Sequence, residues 1–200
     1  MVWFTADLHL GHDAIIKMQH RPFHSVYEMD GALIANINEQ VKENDKLYIL
    51  GDICYRIEKE DAESLIRRIN GKKYLILGNH DVTGNPEICR FDESLFEWVG
   101  YYRKDILIPK VPIIMSHYPY MSWDKARRGA IMLHGHIHSD PIYNRENIKA
   151  GIRRFDVGVD ANGYKPVSLD TVMKWANEAG VNREKTDGYI PGVWNRYNGN

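Results

Sequence analysis

Three short apolar runs near the start of the chain constrain its fold more than any other feature. Val2–Ala6, Lys46–Leu50 and Tyr74–Leu77 each have the length of a buried strand, and each stops at a polar or glycine-containing turn. Two stretches of helical period lie between them. Met29, Leu33, Ile34, Ile37 and Val41 repeat along one helix face, which predicts a helix from about Val26 to Glu43. The capping box Ser25-Val-Tyr-Glu28 opens it and Asn44-Asp45 closes it. Ala62, Leu65, Ile66 and Ile69 repeat in the same way over Lys59–Ile69, and Asn70-Gly71 is the stop. A shorter helix is predicted over Asp13–Met18, with Asp13 as its cap. Strand, helix, strand, helix, strand in this order predicts a layered α/β core.

The second half has a different texture. Tyr101–Ile108 and Val111–Ser116 read as a hairpin about Pro109-Lys110. Strands at Ile131–Leu133 and Phe155–Val159 and a helix over Ser168–Glu178 complete it. No repeat or low-complexity linker divides the 200 residues, so one domain over residues 1–180 is expected. Residues 181–200 carry Tyr189, Trp194 and Tyr197, a tail expected to pack on the domain or on a partner, a homodimer contact included.

A formal net charge of -1 argues against a bulk nucleic-acid-binding surface. Arg67-Arg68 and Lys125-Ala-Arg127-Arg128 read as solvated faces. Cys54 and Cys89 lack metal spacing and read as a reduced pair, with one disulfide as the alternative. With no run of 18 apolar residues and no basic-then-apolar leader, the expectation is a cytoplasmic protein without a membrane partner.

The chemistry collects where the strands end. Asp7 and His9 follow the first run, Asp52 the second, and Asn79 and His80 the third, while His117, His136 and His138 follow strands of the second half. Rigid strands that end in turns hold such groups at the rim of a sheet. In Asp7-Leu-His9 and His136-Ile-His138, alternate residues of an extended segment would point the same way and reach one point. Carboxylate, imidazole and amide oxygen make a mixed donor set suited to Mn, Fe, Zn or Ni. The donors are too many for one tetrahedral ion and about enough for two if Asp52, on the middle strand, bridges. Three histidines within His134-Gly-His136-Ile-His138 are costly to bury without a ligand.

As an ordered set, Asp7-Leu-His9, Gly51-Asp52, Gly78-Asn-His-Asp81, His117 and Gly135-His-Ile-His138 resemble the calcineurin-like metallophosphoesterase superfamily. The resemblance implies a four-layer α/β (α+β) fold, a two-sheet β-sandwich flanked by helices. It implies a first metal held by Asp7, His9, Asp52 and His138, and a second held by Asp52, Asn79, His117 and His136. Mn is the first choice and Fe, Zn or Ni the alternatives. His80 matches the catalytic histidine, a general acid for the leaving oxygen. Two cations about 3.5–4 Å apart would neutralise a phosphoryl group and lower the pKa of a bridging water, giving a metal-bridged hydroxide as nucleophile. His134 is expected to be a neighbour of the site.

Protein phosphatases of this superfamily carry a second acidic residue three after the bridging Asp, to orient the catalytic histidine. Tyr55 stands there instead, which leaves the orienting partner of His80 open. The stretch His12 to Arg21-Pro-Phe23 and the segment Gly158-Val-Asp160-Ala-Asn162 resemble a small bacterial and phage-type branch, making His12 and Arg21 candidates to contact substrate phosphate. The expected activity is hydrolysis of phosphodiesters or small phosphomonoesters, a nucleotide among them. A non-enzymatic metal-binding scaffold, a nuclease and a nucleotide pyrophosphate hydrolase are the alternatives.

Overall fold

The structure is a computed structural model that describes residues 1–84, 88–108 and 111–178. The Pro109-Lys110 turn, the domain end near Gly180 and the tail lie outside the described residues.

The chain runs β1 (Val2–Thr5), α1 (Asp13–Met18), α2 (Val26–Gln40), β2 (Lys46–Ile49), α3 (Lys59–Arg67) and β3 (Lys72–Ile76). It continues through β4 (Val82–Thr83), β5 (Ile88–Cys89), β6 (Trp98–Gly100), β7 (Tyr102–Ile108), β8 (Val111–Ser116) and β9 (Ile131–His134). Helix α4 (Pro141–Lys149), β10 (Arg154–Asp156), β11 (Val167–Ser168) and α5 (Leu169–Asn177) complete it. The first sheet has the order β11-β1-β2-β3-β6, with β1, β2, β3 and β6 parallel; the second has the order β10-β9-β8-β7, with β8, β9 and β10 parallel.

The strands read as apolar runs because both faces are buried. On β2 and just beyond it, Leu47 and Ile49 face α2 and α3, while Tyr48 and Leu50 face the second sheet. Ile113 and Met115 on β8, with Ile131 and Leu133 on β9, close that inter-sheet core together with Val172 and Trp175 of α5. On their other face, Ile114 and Met132 are covered by Trp123, Ala126 and Ala130, from a loop with a 3-10 turn at Ala126–Arg128. The layers are therefore helices, sheet, sheet and a covering segment, the expected sandwich.

Several boundaries move. Ser25 caps α2 as predicted, its Oγ accepting from the Glu28 N–H, whereas the Glu28 carboxylate accepts from the His24 N–H. The helix ends at Gln40 because Val41 turns extended. His12, not Asp13, is the N-cap position of α1, and Asp13 lies in its first turn. The predicted strand Phe155–Val159 stops at Asp156. Helix α4 was not predicted. It packs on β10 through amides: Asn144 Nδ2 donates to the Asp156 carbonyl at 2.9 Å, Asn144 Oδ1 accepts from the Asp156 N–H at 2.7 Å, and Asn147 Nδ2 donates to the Arg154 carbonyl at 2.8 Å. Cys54 and Cys89 are free thiols. Among the described residues no helix is long and apolar enough to cross a membrane.

Candidate metal centre

Parallel strands send their C-terminal ends the same way, and the sequence places its polar groups at those ends. The turns after β1, β2 and β3 carry Asp7 and His9, Asp52, and Asn79 and His80; the turns after β8 and β9 carry His117, His136 and His138. Backbone bonds continue the β1–β2 pairing into these turns, with Asp7 N–H donating to the Gly51 carbonyl and His9 N–H to the Asp52 carbonyl, both at 3.0 Å. Gly51 is required here, since its φ is +89° and a Cβ would stand 2.4 Å from His117 Nδ1. At Gly78 a Cβ would stand 2.3 Å from Asp52 Oδ1, so only glycine lets the two turns meet.

The Asp-x-His and His-x-His pairs converge by a route different from extended alternation. Asp7, His9, Asp52, His136 and His138 all have positive φ, between 46° and 73°. Left-handed backbone at a non-glycine residue costs about 1–2 kcal/mol, and such outliers gather at functional sites. The residues that fix this geometry include Asp81, which is fully buried. Its carboxylate accepts from the N–H groups of Asp52, Ile53 and Gly78 at 2.7–3.0 Å, latching the β2 turn to the β3 turn. Burial raises that carboxyl to about 6, with the Asp52 charge adding to the rise.

Asp52 Oδ2 is the hub. His9 Nε2 lies 3.6 Å from it, His117 Nε2 3.5 Å and His80 Nε2 3.9 Å. Asp7, His9 and His138 form one group whose ligand atoms lie within 4.8 Å of one another, and Asp7, Asp52 and His117 form another. On the second side His117 Nε2 faces both Asn79 Oδ1 and His136 Nδ1 at 3.2 Å. His9, Asp52 and His80 make a third such group. All the residues singled out as ligands are thus brought together.

These residues fit divalent cations. His9 Nε2 is buried and has no hydrogen-bond partner, although it faces the Asp52 carboxylate. Such an orphan is costly in a packed interior unless a ligand is meant for it. The Nδ1 atoms of His117, His138 and His9 are tied to neighbouring groups, as metal-ligating histidines usually are. His117 Nδ1 donates to the Leu50 carbonyl at 2.8 Å, and His138 Nδ1 lies 2.7 Å from Asp160 Oδ2. His9 Nδ1 pairs with His12 Nδ1 at 3.3 Å.

The charges are unsettled in a way that cations would relieve. Burial pushes the Asp7 carboxyl up to about 7, against the pull of His117 and His138. Burial lowers His9 to about 3. Burial opposes ionisation of both Asp52 and His117, yet their mutual attraction wins, taking the carboxyl down to about 2 and the imidazole up to about 9.

His80 sits at the mouth with its side chain about one-third exposed. Its N–H donates to Asp52 Oδ1 at 2.9 Å, its carbonyl accepts from Arg90 Nη1 at 3.1 Å, and its ring meets Tyr55 edge-on at 4.7 Å. Tyr55 also stacks on His12 at 3.7 Å. His12 therefore borders the site. Arg21 does not present a free guanidinium to it: the side chain is buried, and its donors go to Asp160 and to the Asp7 and Leu8 carbonyls. That geometry removes the direct phosphate contact expected from the sequence. His134 is a fully buried neighbour, with Nδ1 donating to the Gly135 carbonyl and Nε2 accepting from the Tyr143 hydroxyl.

Sequence reasoning gave no role to Asp81 or Asp160. Asp81 was visible as the last residue of the Gly78-Asn-His-Asp81 motif. Asp160 stands in the Gly158-Val-Asp160-Ala-Asn162 segment of the resemblance, but nothing local signals its role, because its cationic partner is 139 residues away.

The model of the calcineurin-like phosphoesterase family matches residues 1–191. The chain is similar to an uncharacterised protein, MJ1445, of Methanocaldococcus jannaschii, at 34% identity over 93% of this chain and 97% of that protein. It is 31% identical to the gene 66 protein of Mycobacterium phage L5, over 88% of this chain and 93% of the phage protein. Among solved structures, a protein of unknown function from Aquifex aeolicus, AQ665, matches with a TM-score of 0.66 and 22% identity, over 87% of this chain and 98% of that one. That likeness is one of fold.

Proposed function

The chain belongs to the calcineurin-like phosphoesterase family, in general metal-dependent hydrolases, and on that premise we propose that it hydrolyses phosphodiesters or small phosphomonoesters at a two-cation centre. The observation that carries this reading is the position of Asp52, whose one carboxylate oxygen is approached by His9, His117 and His80. A carboxylate so placed serves both donor groups at once. Asp7, His9 and His138 would hold one cation with Asp52, and Asn79, His117 and His136 the other, with Mn the first choice. When bound, the cations would supply Lewis-acid charge to the phosphoryl oxygens and to the attacking water.

The protein's own groups do the rest. The β2 and β3 turns, latched by Asp81, fix Asp52 and Asn79 at the rim. His80, anchored through its backbone to Asp52 and Arg90, would hold a proton for the leaving oxygen. Burial keeps its imidazole below the usual range, with Asp52 opposing, and an arriving phosphate anion would raise it. The Tyr55 ring limits the swing of the His80 ring where protein phosphatases use an acid. His12, neutral because burial lowers it, stands beside Tyr55 as a donor toward substrate oxygen.

The test is hydrolysis of a chromogenic phosphodiester beside the matching monoester, using metal-stripped protein refilled with Mn. Turnover is expected to need the metal, and His80→Ala is expected to keep both cations while losing about 100-fold or more in rate. Full activity in His80→Ala at unchanged metal content would refute the acid role. Two cations bound with neither ester cut would move the reading toward a scaffold.

A further inference from the structure

Arg21, buried, and Asp160, half-buried, form an ion pair between the turn after α1 and the 3-10 turn at Asp160–Asn162 that follows β10. The guanidinium is bidentate, with Nε donating to Oδ1 and Nη2 to Oδ2, both at 2.8 Å. A pair this far buried adds little net stability over well-packed apolar residues, so its contacts rather than its charge energy say what it does.

Arg21 Nη2 also donates to the Asp7 carbonyl at 2.8 Å, and Nη1 to the Leu8 carbonyl at 3.0 Å. These are the carbonyls of the strained turn whose Asp7 and His9 have φ of 57° and 51°. On the other side, Asp160 Oδ2 accepts from His138 Nδ1 at 2.7 Å. A proton held on Nδ1 by Asp160 leaves the lone pair of His138 on Nε2, free to serve the Asp7, His9 and His138 group, whose ligand atoms lie within 4.8 Å of one another. One salt bridge thus grips the segments that supply Asp7, His9 and His138. Asn79, His117 and His136 have no direct contact with it among the described hydrogen bonds; His117 is oriented by the Leu50 carbonyl instead.

We propose that Arg21 and Asp160 are positioning residues for one cation of the pair, the one assigned to Asp7, His9 and His138, and that they leave the other untouched. The proposal rests on the ligand reading given above. Lysine cannot replace Arg21, since a point charge lacks the planar fork that serves Asp160 and two carbonyls together.

The experiment titrates metal-stripped protein with Mn and follows free Mn by its paramagnetic resonance signal. His138→Ala serves as the reference variant, expected to remove one class of site. Asp160→Asn and Arg21→Lys should weaken that same class by about 10- to 100-fold and leave the second class within about 2-fold. Equal weakening of both classes, or of neither, would overturn the positioning role. If His138→Ala keeps both classes, the ligand reading fails rather than the clamp. Should Asp160→Asn not fold because its guanidinium is left without a counter-charge, the double variant Arg21→Gln/Asp160→Asn carries the same test with no buried charge.

Discussion

The two halves of the candidate centre, with Asp52 proposed as their common ligand, are held by different physics. Asp7, His9 and His138 come from turns of left-handed backbone, and side-chain charge from Arg21 and Asp160 secures them. His117 and Asn79 come straight off strand ends, and His117 is oriented by a backbone carbonyl; His136, assigned to the same half, shares the left-handed backbone and donates its N–H to the Asp7 carboxylate. One half depends on charges brought from distant segments, and the His117 and Asn79 part of the other on strand register. A half that rests on side chains should be tunable by single substitutions. A half that rests on register should resist them until the backbone itself is disturbed.

The largest effect should come from the group common to both halves. Asp52→Asn should lower the content of both cations and cut turnover by about 1,000-fold or more, since Lewis-acid stabilisation is worth several kcal/mol. Metal analysis and the chromogenic assay read this together, and retention of both ions would break the idea of a shared ligand. Next comes a change aimed at the backbone-held half. Gly51→Ala forces a Cβ to 2.4 Å from His117 Nδ1 at a φ of +89°. It should weaken the His117 position by about 10-fold or more, in line with strain of about 1–2 kcal/mol and a Cβ 2.8 Å from the Gly78 backbone, and weaken the Asp7 position less, through the Asp7 N–H bond to the Gly51 carbonyl. Equal loss at both positions in the Mn titration would erase the distinction between the halves. The smallest effect is expected beneath the site. Tyr143→Phe removes the hydroxyl that accepts from Arg154 Nε at 3.0 Å and faces His134 Nε2 at 3.2 Å. Stability should fall by about 1 kcal/mol, read from a denaturant midpoint, with turnover unchanged.

Legibility in the sequence follows the same division. Asp52, Asn79, His80 and His117 could be read because each follows an apolar run directly, so a strand end and its polar cargo are one local pattern. Asp7, His9, His136 and His138 are legible for the same reason, although the left-handed backbone they share with Asp52 carries no local sequence signal. The packing role of Arg21 is not legible locally, because its partners Asp160, Asp7 and Leu8 meet only in the folded chain. Helices α2 and α3 announced themselves through apolar period. Helix α4 did not, since two of its inward positions are Asn144 and Asn147 rather than apolar residues. Its start was nevertheless written in Asp140-Pro141, where the Asp140 carboxylate accepts from the Ile142 N–H at 2.7 Å.

Those two asparagines also settle a hazard of sheet architecture. Strand β10 closes one side of the second sheet, and its outward N–H and C=O groups would otherwise offer a template to any passing extended chain. Asn144 supplies both a donor and an acceptor to Asp156, and Asn147 supplies a donor to Arg154, which is what a neighbouring strand would have offered. The helix thus imitates a strand with side chains. A sheet that must keep its rim open for chemistry can in this way be closed to growth along its flank.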